Sequence, residues 1–328
     1  MRLLTATDLY IGGVLIFMEI AGLARWRRVT AFAAMAIGTV AYAVSARKRR
    51  LSDDGIAHAM GQTLSPRERR AVVKAAFRHF WREVFSLVGS ASHDGIAAAA
   101  GVRGLPRLTA AMHAGRGVIL WESSYFGNRL MAKRILKHHG IAVHQVHAES
   151  HLGGFHVGRH RTSILRRRVL RPRFERHELR SLAAIIHVPD EHSLGFTRAL
   201  HRTLQAGAVL CVSSDGPLGQ KFVSAPFLGR RRPFATGVVS LARLSGCTLL
   251  PVFCFEASDG RPCLVIEEPL TIDAEQDRDP AIADVVARYA RLLESYVRRH
   301  PGQYRNWHSL GGRTAAAPSG VSAKSFSV

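Results

Sequence analysis

The sequence predicts an α/β fold with a membrane-associated helical segment at its start, and three observations carry that reading. Two long apolar runs, separated by arginines, fill the first 46 of 328 residues. From about residue 107 onward, short apolar runs of strand character alternate with segments of helical period, the pattern of a central sheet covered by helices. Hydrophobic residues make up 47% of the chain, enough for a sizeable core and too many for a disordered basic tail.

The elements follow in order. Residues 9–24 are apolar apart from Glu19, and residues 29–46 carry no charge; each is about one bilayer crossing long or slightly short. Arg25, Arg27 and Arg28 separate them, and Arg47, Lys48, Arg49 and Arg50 follow. If both runs crossed, one basic cluster would face the outer side, against the positive-inside rule. The expectation is one crossing or re-entrant helix plus one interfacial helix, with both clusters among anionic headgroups, where each Lys or Arg is worth about 1 kcal/mol. A buried helical hairpin of a soluble protein is the plainer alternative. Ser65-Pro66-Arg67-Glu68 is a capping box with proline at the first helical position. Val73, Phe77, Phe80, Trp81, Val84, Phe85 and Val88 then recur at helical spacing, a stripe suited to a core or to a membrane surface.

Residues 117–121 read as a strand, 128–138 as a helix and 141–146 as a strand. Residues 200–205 read as a helix, 208–212 as a strand ending in Ser213-Ser214-Asp215-Gly216-Pro217, and 237–244 as a helix. Strands at 248–255 and 264–267 precede a long helix, 281–300, stopped by Pro301-Gly302. In such sheets sites form where loops leave the strand ends, here at 121–128 and 213–220. The organisation expected is anchoring helices over 1–50, an α/β domain over 51–312 and a disordered tail over 313–328.

Lys and Arg number 46 against 24 Asp and Glu, a formal charge of +22, which suits nucleic acid, an anionic membrane surface or an acidic partner. The arginines are scattered and aromatics are only 8%, unlike the stacking and groove-reading arrays of nucleic-acid modules, so nucleic acid is the unlikely partner. Cys211, Cys247, Cys254 and Cys263 stand singly with no C-x-x-C pair, against a zinc site and a disulfide framework.

Gly115-Arg-Gly-Val-Ile-Leu followed by Phe126-Gly127-Asn128 resembles the first block of the lysophospholipid acyltransferase superfamily, in the branch of the late (lauroyl/myristoyl) acyltransferases of lipid A biosynthesis. Leu204-Gln-Ala-Gly-Ala-Val-Leu-Cys-Val-Ser-Ser-Asp215, Ala225-Pro226-Phe227-Leu228-Gly229, and Leu241-Ala242-Arg-Leu-Ser-Gly246-Cys-Thr-Leu-Leu-Pro251-Val are similar to later blocks, in order. His300-Pro301-Gly-Gln303-Tyr304-Arg-Asn-Trp307-His308 resembles that branch's C-terminal signature with one extra residue. The resemblance covers about residues 29–310. It implies a mixed central sheet flanked by helices, at the cytoplasmic face of a bacterial inner membrane. The implied reaction is transfer of a fatty acyl group from acyl-carrier protein or acyl-CoA to a lipid or lipid-linked hydroxyl or amine.

The motif of that family is His, four residues, then Asp or Glu, the imidazole taking the acceptor's proton and the carboxylate orienting it. Here Tyr125 stands at the histidine position and Leu130 at that of the acid; in a second register Ser124 takes the histidine position and Arg129 lies near the acid. Glu122, desolvated at a strand end, is a candidate replacement base, and a histidine from the run His144, His147, His151, His156 and His160 is another. Those histidines have only Glu149 beside them, too few ligands for a metal. The candidate catalytic set is Glu122, Tyr125, Asn128 and Asp215. Ser124, Arg129, Arg161, Lys221, Arg230, Arg231 and Arg232 are candidates for binding phosphates or an acidic carrier. No cofactor is implied, since a thioester is already activated. A second function, a non-catalytic member serving as a lipid-binding or accessory protein, fits the missing dyad.

Overall fold

A computed structural model describes residues 3, 5–23, 27–87, 95–148, 151–152, 155–156, 163–188, 194–216, 219 and 221–311. The chain opens with α1 (Ala6–Leu23), α2 (Arg27–Val44) and α3 (Ala46–Met60). Among the described residues no single helix is long and apolar enough to cross a membrane; Val29–Val44 and Ala46–Met60 reach that length and composition as a pair, bent by 91°. The two carboxylates of α1 are turned to the body of the protein. Asp8 is fully buried against Arg166 at 2.6 Å, and Glu19 meets His177 at 3.1 Å.

Helix α4 (Pro66–Ser86) starts at the predicted capping box, with the Ser65 amide donating to Glu68 at 2.7 Å and the Glu68 amide donating to Ser65 Oγ at 3.3 Å. Its stripe is a core stripe: Val73, Trp81, Val84 and Phe85 are buried, while Val88 lies outside the described residues. The α2 and α4 backbones approach so closely at Gly38 that a Cβ there would stand 2.7 Å from Arg78 Cα. Only glycine fits this crossing.

The body alternates as the sequence predicts. In chain order come β1 (Gly101–Arg103), α5 (Leu105–His113), β2 (Val118–Glu122), α6 (Arg129–His138) and β3 (Val143–Ala148). Two-residue strands β4 (His151–Leu152) and β5 (Phe155–His156) form a small hairpin before α7 (Arg171–Glu178), β6 (Ala184–Val188), α8 (Leu194–Gln205) and β7 (Val209–Ser213). The hairpin β8 (Phe222–Phe227) and β9 (Arg230–Ala235), then α9 (Gly237–Ser245), β10 (Thr248–Glu256), β11 (Pro262–Ile266) and α10 (Arg278–Arg299) complete it. The main sheet has the order β1-β11-β10-β2-β7-β3-β6. It is parallel from β10 through β6, with β11 antiparallel to β10 and β1 parallel to β11. This is the mixed, helix-flanked sheet that was expected.

Strand β2 is buried at every position, which is why it reads as an uninterrupted apolar run. Ile119 and Trp121 face the core made with α9 and α10, Trp121 stacking on Tyr289 with centroids 3.8 Å apart; Val118 and Leu120 face the core under α5 and α6. The sequence reading did not foresee α3, β1, α5, the β4–β5 hairpin, α7, β6 or the β8–β9 hairpin. Pro226, Pro233 and three successive arginines hide the alternation of the hairpin, and prolines are tolerated where a strand has a free edge. Parallel β2, β7 and β3 end on the same edge of the sheet, and the loops after β2 and β7 build the site.

Candidate functional site

The loop after β2 is held from four directions. Ser123 Oγ donates to Asp215 in a short hydrogen bond and accepts from the amides of Tyr125 and Phe126 at 3.1 and 3.0 Å; the Ser124 amide donates to the other Asp215 oxygen at 2.6 Å. The loops after β2 and β7 are thereby tied together. Gly127, at φ 70°, sits against β10, where a Cβ would stand 2.0 Å from the Cys254 carbonyl oxygen. From the C-terminal signature, Phe126 forms a β-bridge with Tyr304, and Gln303 binds both the amide and the carbonyl of Glu256. Arg305 donates its backbone N–H to the Tyr125 carbonyl at 2.9 Å, and one guanidinium N–H to the Ser124 carbonyl at 2.6 Å; the other arm pairs with Glu83. Glu83, 1% exposed on α4, also faces Arg129 at 3.5 Å. His79 Nε2 donates to the Gly127 carbonyl at 3.0 Å; burial above all, with the Arg305 and Arg82 charges, pulls its pKa down to about 4, so the ring is neutral.

Ser124 and Tyr125 are half-buried and bring their hydroxyls to the same place. A Cβ on Gly216 would lie 3.5 Å from Ser124 Oγ and 3.8 Å from Tyr125 Oη, so both hydroxyls converge on the space that this glycine leaves open. Burial first and the Asp215 carboxylate second push the Tyr125 hydroxyl up to about 12, with Arg232 and Arg129 pulling the other way. At neutral pH it is a hydrogen-bond donor and not a base. Burial also raises the Asp215 pKa, against the hydrogen bonds from Ser123 and Ser124, the Ser124 side chain among them. Arg232 holds Ser309 through two bonds of 3.1 Å, and Arg231 donates to the Ser224 carbonyl at 2.5 Å. Both lie on β9 with Arg230, and Lys221 is exposed just before β8. Arg161 and His160 lie outside the described residues.

Two candidates face elsewhere. Glu122 ends β2 on the α6 side, 3% exposed, paired with Lys133 and accepting from Gln145 at 3.3 Å. Asn128 caps α6 by accepting from the Met131 amide at 3.0 Å, and its own amide donates to the Cys254 carbonyl. Leu130 packs against the core beneath α1 and α4. Of the histidines, His144 and His147 lie on β3, His147 3.7 Å from Glu178, whose pKa burial raises to about 7; His151 and His156 are register partners in the β4–β5 hairpin.

Sequence reasoning missed Ser123, Glu83, His79, Gly216 and Arg305. Arg305 had a signal, because it falls inside the C-terminal signature next to Tyr304. Glu83 and His79 looked like ordinary polar positions of an amphipathic helix.

The fold and site define an α/β protein whose covered mixed sheet brings two hydroxyls and the Asp215 carboxylate together in loops at the strand ends. The match that particularises it is to the bacterial lipid A biosynthesis acyltransferases: the chain belongs to this family, whose model matches residues 9–310, and it is an acyltransferase acting on lipid. The matched region takes in most of α1 and all of α2 as well as the sheet. Comparison with curated proteins gives no match.

Proposed function

We propose that the protein transfers a fatty acyl group from the thioester of acyl-carrier protein or coenzyme A to a hydroxyl or amine of a lipid or lipid-linked acceptor, at the cytoplasmic face of a bacterial inner membrane. The observation that supports this best is the convergence of Ser124 Oγ and Tyr125 Oη over Gly216, with Asp215 behind Ser124. The acceptor's proton passes to Ser124 while the Ser124 proton passes to Asp215, and the freed heteroatom attacks the thioester carbonyl. Tyr125, held protonated, donates to the developing oxyanion. Collapse breaks the C–S bond, and the leaving thiolate takes the proton from Asp215. Arg129 and the Arg230–Arg232 segment, with Lys221 and Arg161, receive phosphates or the acidic carrier. Glu122 and Asn128 act by positioning, since the one is paired beneath α6 and the other caps it.

The test is transfer from radiolabelled acyl-carrier protein, and separately from acyl-CoA, to a membrane lipid extract by the purified full chain. Tyr125→Phe and Ser124→Ala are each expected to lower the rate by roughly 10²-fold. Transfer unaffected by either overturns the assignment. The replacement of the family's histidine and acid by Tyr125 and Leu130 favours a second reading, a lipid-binding accessory protein; retained lipid binding with no transfer from either donor is its signature.

A further inference from the structure

The bend between α2 and α3 borders a cleft of about 550 Å³ whose wall includes Tyr42, Arg47, Arg49, Arg50, Arg70 and Val73. Asp53 is also on that wall, but it is committed to Arg69 at 3.3 Å. Arg49 builds the cleft: it donates to the Tyr42 and Ala43 carbonyls at 2.8 and 2.9 Å, closing the last turn of α2, and its guanidinium lies 5.2 Å from the Tyr42 ring centroid. Arg47, Arg50 and Arg70 have no such employment. Among the described residues no carboxylate lies within ion-pair distance of any of the three.

This is a concentration of like charge that the protein by itself does not offset. The first turn of α3 contains no acid and Ser45 provides no side-chain cap, so the positive end of the helix dipole adds to the same field. An anion in the cleft relieves both. Guanidinium forks are suited to phosphate oxygens, which they bind in bidentate fashion.

The neighbouring surface says which phosphate. Along α2, Phe32, Val40 and Val44 are 74%, 60% and 75% exposed, and the last two lie four residues apart on the turns that run into the bend. Free phosphate gains nothing from such a face. A lipid uses both, with its chains against α2 and its phosphate in the cleft.

We infer that the cleft at the α2–α3 bend binds the phosphate of an anionic membrane phospholipid, seating the bend at the bilayer surface. The inference rests on the reading that the protein works at a membrane, and it is independent of whether an acyl group is transferred there.

Flotation of the full chain with vesicles of equimolar phosphatidylcholine and phosphatidylglycerol tests it without any acyl donor, so its outcome is separate from that of the transfer assay. Each arginine at an anionic surface is worth roughly fivefold in partition, so Arg47→Gln/Arg50→Gln/Arg70→Gln is expected to weaken binding by roughly 10²-fold. Arg202→Gln/Arg278→Gln/Arg291→Gln removes the same charge from exposed positions outside the cleft and is expected to weaken it by less than about fivefold. Equal losses in the two variants would mean diffuse charge attraction and overturn the site, as would unchanged binding by the cleft variant. If inorganic phosphate at matched ionic strength raises the melting temperature of the wild type but not of the cleft variant, while vesicles are not bound, the ligand is free phosphate and the lipid assignment falls. Capture of acyl-carrier protein that the cleft variant alone loses, with vesicles not bound, would overturn it equally. Should the triple variant fold poorly, Arg50→Gln and Arg70→Gln singly are each expected to lose roughly fivefold.

Discussion

Gly216→Ala separates the proposed chemistry from stability more cleanly than any change to a polar side chain. The added methyl would stand 3.5 Å from Ser124 Oγ and 3.8 Å from Tyr125 Oη, which is ordinary contact, and Gly216 is not among the residues with left-handed backbone. Among the described residues nothing must move. Folding free energy should therefore change by less than about 1 kcal/mol, and a small gain is expected because alanine narrows the unfolded ensemble. The acceptor, however, must bring its nucleophilic atom to hydrogen-bond distance of Ser124 while the thioester oxygen meets Tyr125. A methyl at the point on which both hydroxyls converge displaces these groups by an ångström or more, and a displacement of about 1 Å costs roughly 10²-fold in rate, or about 2.7 kcal/mol of transition-state stabilisation. Initial rates with radiolabelled acyl donor, beside urea unfolding of the same preparation, measure both quantities. A folded Gly216→Ala protein that transfers at the wild-type rate would show that the reacting groups do not meet above Gly216.

Three further outcomes are expected. Arg305→Met leaves Glu83 buried with Arg129 as its remaining cation at 3.5 Å, so urea unfolding should show a loss of about 3 kcal/mol, and Glu83→Gln in the same chain should recover part of it. Glu122→Gln strands Lys133, whose side chain is 4% exposed; a loss of about 3 kcal/mol is expected, with the rate per folded molecule falling less than the 10²-fold or more that a general base would cost. His79 has a folded pKa of about 4, below its unfolded 6.5, so its contribution is fully present above pH 6.5 and is lost as pH falls toward 4. The window corresponds to about 3 kcal/mol at most. Unfolding curves across it should flatten in His79→Gln, which keeps a donor for the Gly127 carbonyl.

What could be read in advance was local. The apolar runs of β2, β7 and β10, the capping box before α4 and the stop after α10 all lie within a dozen residues of their cause, and the structure places these elements within a few residues of the sequence reading. Both site loops were legible for the same reason, since loops at the ends of parallel strands follow once the strands are known. The partners were not. Ser123 and Asp215 are 92 residues apart, and Glu83 and Arg305 are 222 apart; no periodicity links them. Glu122 illustrates the cost: a carboxylate at a strand end next to a loop looks reactive, and only the return of α6 over the sheet brings Lys133 down onto it. The arginines of β9 were visible as charge, while the hairpin that carries them was masked by its prolines.

The clamp formed by Gln303, Tyr304 and Arg305 has a consequence for when the site comes into being. Arg305 takes the Ser124 carbonyl from 181 residues downstream, and these residues leave the ribosome after every strand of the main sheet. A nascent chain can therefore have all the strands of its main sheet while the Ser124–Tyr125 loop still lacks the groups that fix its backbone. The backbone of the Ser124–Tyr125 loop is thus fixed only after the sheet that carries it has been made, and the clamp sets that order.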